Sequence, residues 1–345
     1  MRPEAFYLLS TMLGALGALL IWRLGNRLNL LDYPNERSSH SVPTPKGGGI
    51  GIVVAFILFN LFSGIPFMFW FPVSIVAVVG LYVDRVELSP KFRLSIQFLA
   101  AIALLIGTGI FETDSLLRLL TIPFWAIFIV GTSNFYNFMD GIDGIAGMSG
   151  IVAFAFLAFF AYSNGMGIPF IVLPICVCLS CLGFLPFNMV RGGKVFMGDV
   201  GSYFLGFTFA SLIYLFSRNL SDLICLVSFL FPFYADELTT MAVRIRGGEN
   251  LARAHRRHLY QLLANEGGIA HWKVALGYAA VQVMVGVAAL VMKPYSILAL
   301  MLFLFLCFLG FVLISFRVRK HLENLDQTTR VIVSKYCPTD IPGNS

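Results

Sequence analysis

The chain has 345 residues, 58% of them hydrophobic and only 12% charged, with a mean hydropathy of +0.83. Soluble domains carry about 25% charged residues, so this composition excludes a soluble enzyme and predicts an integral membrane protein. The net charge of +6 sits in the connections between apolar runs and points to no nucleic-acid partner.

Apolar runs of about 20 residues recur without period-2 alternation, which favours helices over a barrel. The expected fold is an all-α polytopic membrane helix bundle of about eleven spans. They lie near 5–22, 49–63, 66–83, 93–111, 121–138, 147–163, 168–187, 202–217, 222–238, 274–292 and 295–316. One set of connections is short and nearly uncharged. The other (23–48, 84–92, 139–146, 188–201, 239–273 and the segment from Arg317), with Arg93 at its border, holds every Lys and Arg except Arg2, Arg118, Arg218 and Lys293. By the positive-inside rule the N-terminus is outside, the C-terminus is cytoplasmic, and the long loops share the cytoplasmic face of the cell inner (plasma) membrane. Residues 1–320 read as one membrane domain and 321–345 as a polar, weakly ordered tail. The six cysteines form no disulfide framework; five lie within apolar runs as small hydrophobes.

The first cytoplasmic loop carries Arg37, Ser38, His40 and then Pro43, Pro45, Lys46 and Gly47–Gly49. A lysine beside glycines offers a point charge and unobstructed backbone N–H groups to a phosphate; a plain Pro/Gly loop fits as well. The second loop opens with Asp84, Arg85 and Glu87 and continues to Lys91 and Arg93, which read as interfacial anchors. In the third, NFYNFMDGIDGIAG, Asp140 and Asp143 alternate with glycines at the edge of a span. Acids there are costly and read as functional, and a helical segment would put both on one face; solvated acids in a turn are the competing reading.

The fourth loop, FNMVRGGKVFMGDVGS, sets Asp199 between Gly198 and Gly201. A single acid among glycines suits Mg²⁺, which keeps waters and bridges substrate phosphates. Phe196 is placed to stack on a base or simply to face lipid. The longest loop contains Arg244, Arg246, Glu249, Arg253 and AHRRHLYQLL, with His255 and His258 flanking Arg256 and Arg257. A cationic cluster for a pyrophosphate is favoured over zinc, because no third ligand has a recognisable spacing. Acids for a metal and cations for phosphates, beside apolar helices, imply phosphoryl transfer with a lipid co-substrate.

At HSVPTPKGGG, NFMDGIDG, VFMGDVGS and AHRRHLYQ the sequence resembles the polyprenyl-phosphate N-acetylhexosamine-1-phosphate transferases (glycosyltransferase family 4), closest to the branch that initiates O-antigen and other surface glycans. The resemblance covers about residues 5–316. It implies transfer of a sugar-1-phosphate from a UDP-N-acetylhexosamine to undecaprenyl phosphate with release of UMP. It also implies Mg²⁺ as cofactor, with Mn²⁺ able to substitute, and allows a homodimer. By this resemblance Asp199 is the metal ligand. Lys46, Asn137, Asn188, Phe196, His255, Arg257 and His258 bind substrate, with Phe196 against the uracil. Asp84, Asp140 and Asp143 are the catalytic acids. One departure stands out: aligning on LSPKFR sets Val83 where the family has the first of two adjacent aspartates. A catalytically weakened or dead homologue that binds lipid phosphate or nucleotide-sugar is therefore an alternative, and a transporter a weaker one.

Overall fold

The computed structural model describes residues 3–34, 39, 41–86, 88–108, 120–189, 194–250 and 255–336. Arg37, Ser38, His40, Glu87 and Arg253, named above, lie outside the described residues, as does the chain end from 337.

Helices dominate. After α1 (Pro3–Leu24), a minimal hairpin pairs β1 (Leu31–Asp32) antiparallel with β2 (Thr44–Pro45), Leu31 opposite Pro45 and Asp32 opposite Thr44. There follow α2 (Ile50–Ser63), α3 (Phe67–Arg85), α4 (Pro90–Gly107), α5 (Thr121–Phe138), α6 (Ile145–Ser163), α7 (Ile168–Met189) and α8 (Gly198–Phe216). The chain closes with α9 (Leu220–Ser228), α10 (Phe231–Arg246), a short turn α11 (Leu259–Gln261) continued by the π-helical turn Leu262–Glu266, then α12 (His271–Met292) and α13 (Ile297–Tyr336).

Each of the eleven expected windows is occupied by helix. Among the described residues, eight helices are long and apolar enough to cross a membrane, or nine with α9 and α10 taken as one bent span. The expected single span 222–238 is in fact an elbow of 83° between α9 and α10. Pro232 lies in the first turn of α10; it has no N–H to give, and its ring would clash with the carbonyl of residue 228, so α9 cannot continue through it. Helix α2 is only 14 residues long, about 21 Å by rise per residue against a hydrocarbon core of about 30 Å. It starts late because the glycines before it are committed to a backbone junction described below. The tail expected to begin at residue 321 is not a break in secondary structure, since α13 continues to Tyr336.

Helix α8 is the axis of the bundle, buried along almost all its length, between α3 on one side and α5 on the other. Close approach to α3 depends on Gly80, where a Cβ would fall 2.6 Å from the Asp199 carbonyl oxygen. Helix α13 lies at the edge, its apolar side chains mostly exposed, as suits a surface facing lipid rather than water. The described cysteines are all free.

Candidate active site

The N-terminus of α8 is where four connections meet. The hairpin loop reaches it through a parallel bridge between Lys46 and Phe196: Phe196 N–H donates to Pro45 O (2.8 Å), Gly48 N–H to Phe196 O (2.9 Å) and Gly49 N–H to Met197 O (2.9 Å). This corrects one expectation. The N–H groups of Gly48 and Gly49 do not stand open for a phosphate; they fasten two loops together, and only glycine fits, because a Cβ on Gly49 would lie 2.5 Å from Gly201 Cα.

Asp84, at the end of α3 and 5% exposed, turns both carboxylate oxygens to the start of α8: Asp199 N–H donates to Oδ1 (3.0 Å) and Val200 N–H to Oδ2 (3.1 Å). An anion on the open N–H groups of a helix N-terminus is favoured by both hydrogen bonding and the helix dipole. Asp84 thus positions Asp199. The Asp199 side chain, a quarter exposed, accepts from Asn137 Nδ2 (2.8 Å), which also donates to Ser202 Oγ (2.9 Å). Arg93 Nη1 lies 3.5 Å from Asp199 Oδ2 and donates to the Tyr203 hydroxyl at 3.1 Å. Arg93 is therefore part of the site, not the interfacial anchor its sequence context suggested. Lys46 and Asp32 are electrostatic neighbours of Asp199. Gly198 has φ +75°, and a Cβ there would meet Gly47 N at 2.5 Å and Asp84 Oδ2 at 2.6 Å. Gly198→Ala is expected to cost at least about 2 kcal/mol and about 10² in turnover through a displaced Asp199; thermal unfolding in detergent and an activity assay read the two effects.

Asp140 and Asp143 are not on a helix face. Helix α5 stops at Phe138, and Gly144 takes φ +88° to start α6, so both acids lie in the intervening turn. Asp143 Oδ2 is 3.2 Å from His271 Nδ1 at the start of α12. Asp140 is an electrostatic neighbour of Asp199 and Asp84 at the start of α8. Burial, then the charges of Asp199, Asp84 and Asp143, push its carboxyl up to about 8. Asn188 Oδ1 accepts from Gly144 N–H (2.7 Å) and its Nδ2 donates to Val195 O (3.0 Å), so it ties the turn to the fourth loop. Phe196 is half-buried beside these groups.

The histidine loop stands on Asp236 of α10, fully buried, which accepts from Leu259 N–H (2.8 Å), Tyr260 N–H (3.3 Å), the Tyr278 hydroxyl (2.6 Å) and Thr240 Oγ1 (3.1 Å). Tyr260 then donates to Phe138 O (2.9 Å), joining the loop to the acidic turn. His258 is 2% exposed, its ring between Asp236 and Glu237. The His255 ring lies against it, centroids 4.8 Å apart and tilted by 40°. Burial, with His258, Arg244 and Arg257 nearby, holds the His255 imidazole down to about 4, hence neutral at pH 7. The positive charge expected of this cluster comes from arginines, and these already have carboxylate neighbours: Arg257 pairs with Glu249, and Arg256 lies 3.6 Å from Glu266.

Between the two halves runs a cavity of about 580 Å³. Arg93, Tyr203, Glu237, Arg244, His255 and His258 stand along it, while Leu94, Ile127 and Phe138, all exposed, form an apolar rim. Sequence reading missed Arg93, Tyr203, Asp236, Glu237 and His271. Asp236 and Glu237 carried a signal, two adjacent acids inside an apolar run; Tyr203 carried none.

The acidic pole suits a divalent cation. Burial and then the charges of Asp199, Asp84 and Asp143 raise Asp140, with Lys46 and Arg93 as cations near Asp199. Among the described residues no three His, Cys, Asp or Glu form a complete metal cage.

Residues 66–217 match the model of glycosyl transferase family 4. A Pasteurella multocida protein named undecaprenyl-phosphate alpha-N-acetylglucosaminyl 1-phosphate transferase is 32% identical over 282 residues, 75% of this chain and 78% of that one. The chain belongs to the polyprenyl-phosphate N-acetylglucosamine-1-phosphate transferase family. Other members extend the match: the Bacillus subtilis "Probable undecaprenyl-phosphate N-acetylglucosaminyl 1-phosphate transferase" is 26% identical over 92% of this chain and 90% of its own. The Mycobacterium leprae decaprenyl-phosphate N-acetylglucosaminephosphotransferase is 28% identical over 74% and 75%. As a member of this transferase family the protein is a membrane-embedded phosphotransferase with a polyprenyl phosphate acceptor. The family model spans Asp84, Arg93, Asn137, Asp140, Asp143 and Asp199; Lys46 and the histidine loop fall outside it.

Proposed function

We propose that the protein transfers the sugar-1-phosphate of a UDP-N-acetylhexosamine to undecaprenyl phosphate and releases UMP, at the cytoplasmic end of the bundle, to start a lipid-linked O-antigen or other cell-envelope glycan. The observation that carries this reading is Arg93, which contacts Asp199 and also lines the cavity. One guanidinium then serves both the donor's diphosphate at the acidic pole and the acceptor's phosphate in the cavity, the alignment an in-line displacement needs.

In this reading Asp199 holds Mg²⁺, with Asp140 and Asp143 beside it and Asn137 fixing the Asp199 rotamer. The metal supplies charge neutralisation for the diphosphate. Lys46 adds a cation on the donor side, Phe196 offers a face to the uracil, and the apolar rim takes the prenyl chain. His255 and His258 form the far wall, Arg257 of the same loop adds a cation paired with Glu249, and Asn188 acts through the turn it anchors.

The test is UMP release from membranes containing the protein with Mg²⁺ and undecaprenyl phosphate, over UDP-GlcNAc, UDP-GalNAc and their 6-deoxy relatives. One donor is expected to give turnover. Val83, half-buried next to Asp84, motivates the other reading. A homologue that binds nucleotide-sugar without turnover would release no UMP with any donor, and gain of release in Val83→Asp would establish that reading.

A further inference from the structure

In the transferase reading Asp199 and its neighbour Asp140 serve the metal, which leaves the proton of the acceptor phosphate to find another acceptor. Asp84 spends both oxygens on the N-terminus of α8, and Asp143 is turned to His271. At the opposite wall of the cavity stands Glu237 of α10. It is 3% exposed, it lines the cavity, and its Oε2 is buried without a hydrogen-bond partner among the described residues. The nearest group is His258 Nε2 at 3.5 Å, beyond good hydrogen-bond distance. A buried carboxylate oxygen left unsatisfied is costly, and Glu237 lines the space that also holds Arg93 and Tyr203. The elbow before α10 and the Asp236 contacts to the histidine loop fix the helix that carries it.

We infer that Glu237 is a further catalytic residue, the base that takes the proton from the monoanionic polyprenyl phosphate as that phosphate attacks the donor. The inference rests on the transferase reading above. The O–H bond of the acceptor phosphate breaks and its proton passes to the Glu237 carboxylate. The freed oxygen forms a bond to the sugar-bearing phosphorus, and the bond from that phosphorus to the oxygen of UMP breaks. UMP leaves with the electron pair as a dianion, and Glu237 returns its proton to water once the lipid product has gone. A carboxylate here also answers for Val83: the base is supplied from α10 instead of from the end of α3. The groups facing Glu237 are His258 from the histidine loop, Asp236 and Arg244 on its own helix, and Arg93, Tyr203 and His255 around the cavity.

The experiment compares Glu237→Gln with wild type in a neutral detergent, measuring UMP release from pH 8 to pH 5 at limiting undecaprenyl phosphate and saturating donor. The acceptor's second pKa is about 6 by analogy with a phosphoserine, so a variant without the base depends on the dianion fraction. Its rate relative to wild type is expected to fall about tenfold between pH 8 and pH 5, from a loss of about threefold or less at pH 8. Activity of the variant at pH 8 also shows that it is folded. A ratio that stays constant with pH, or a variant inactive at every pH, overturns the inference, since a structural role gives one or the other. Absence of UMP release from wild type at pH 8 would instead overturn the transferase reading.

Discussion

Asp199→Ala is expected to lower UMP release by about 10³-fold, the scale on which a preorganised charge at a reacting phosphate acts. The effect combines two losses. The carboxylate that would hold Mg²⁺ disappears, and Asn137 and Arg93, which now converge on it at 2.8 and 3.5 Å, lose their common partner. Asp199→Asn separates the two, because its oxygen still accepts from Asn137 while the charge is gone. If the charge carries the effect, the Asn variant melts like wild type and is as inactive as the Ala variant. Robust turnover in either variant, or a requirement for zinc in place of Mg²⁺, would sink the assignment.

Asp236→Ala is expected to be the most damaging change away from the acidic pole. Four donors lose their acceptor in the protein interior; loss of a buried charged partner of this kind costs about 3–5 kcal/mol. Because two of those donors are the backbone N–H groups of Leu259 and Tyr260, the histidine loop loses its footing. Limited proteolysis should then open the segment between Arg246 and Leu259, with turnover down by about 10²-fold. Unchanged melting together with unchanged turnover would show that the loop is held by something else.

Much of this site was legible in the sequence, and the part that was not has a physical reason. Apolar length locates helices well, so all eleven windows hold one; it does not see a bend, and the elbow at Pro232 looked like a continuous span. Asp84, Asp140 and Asp199 announced themselves as acids at the ends of apolar runs, Asn137 entered only through the family resemblance, and the structure gathers all four around one helix terminus. Their division of tasks was hidden. Asp84 read as a catalytic acid, but its two oxygens are taken up by backbone N–H groups of a helix 115 and 116 residues away in sequence. Gly48 and Gly49 read as a phosphate cradle, yet a glycine run looks the same whether its N–H groups face a ligand or another loop. Arg93 and Glu237 were illegible for a related reason: an arginine at a helix start and a glutamate in a span acquire meaning only from the cavity they share.

That cavity has a consequence for the order of events. Its rim of Leu94, Ile127 and Phe138 is apolar and exposed, the kind of surface by which a prenyl chain would enter in the plane of the bilayer, while the acidic pole lies among polar loops at the N-terminal end of α8. The proposed function would then give the two substrates separate ways in. Under the proposed function neither would have to depart before the other enters, UMP would leave by the water side while the lipid product returns to the bilayer, and excess nucleotide-sugar would not compete with the lipid for entry.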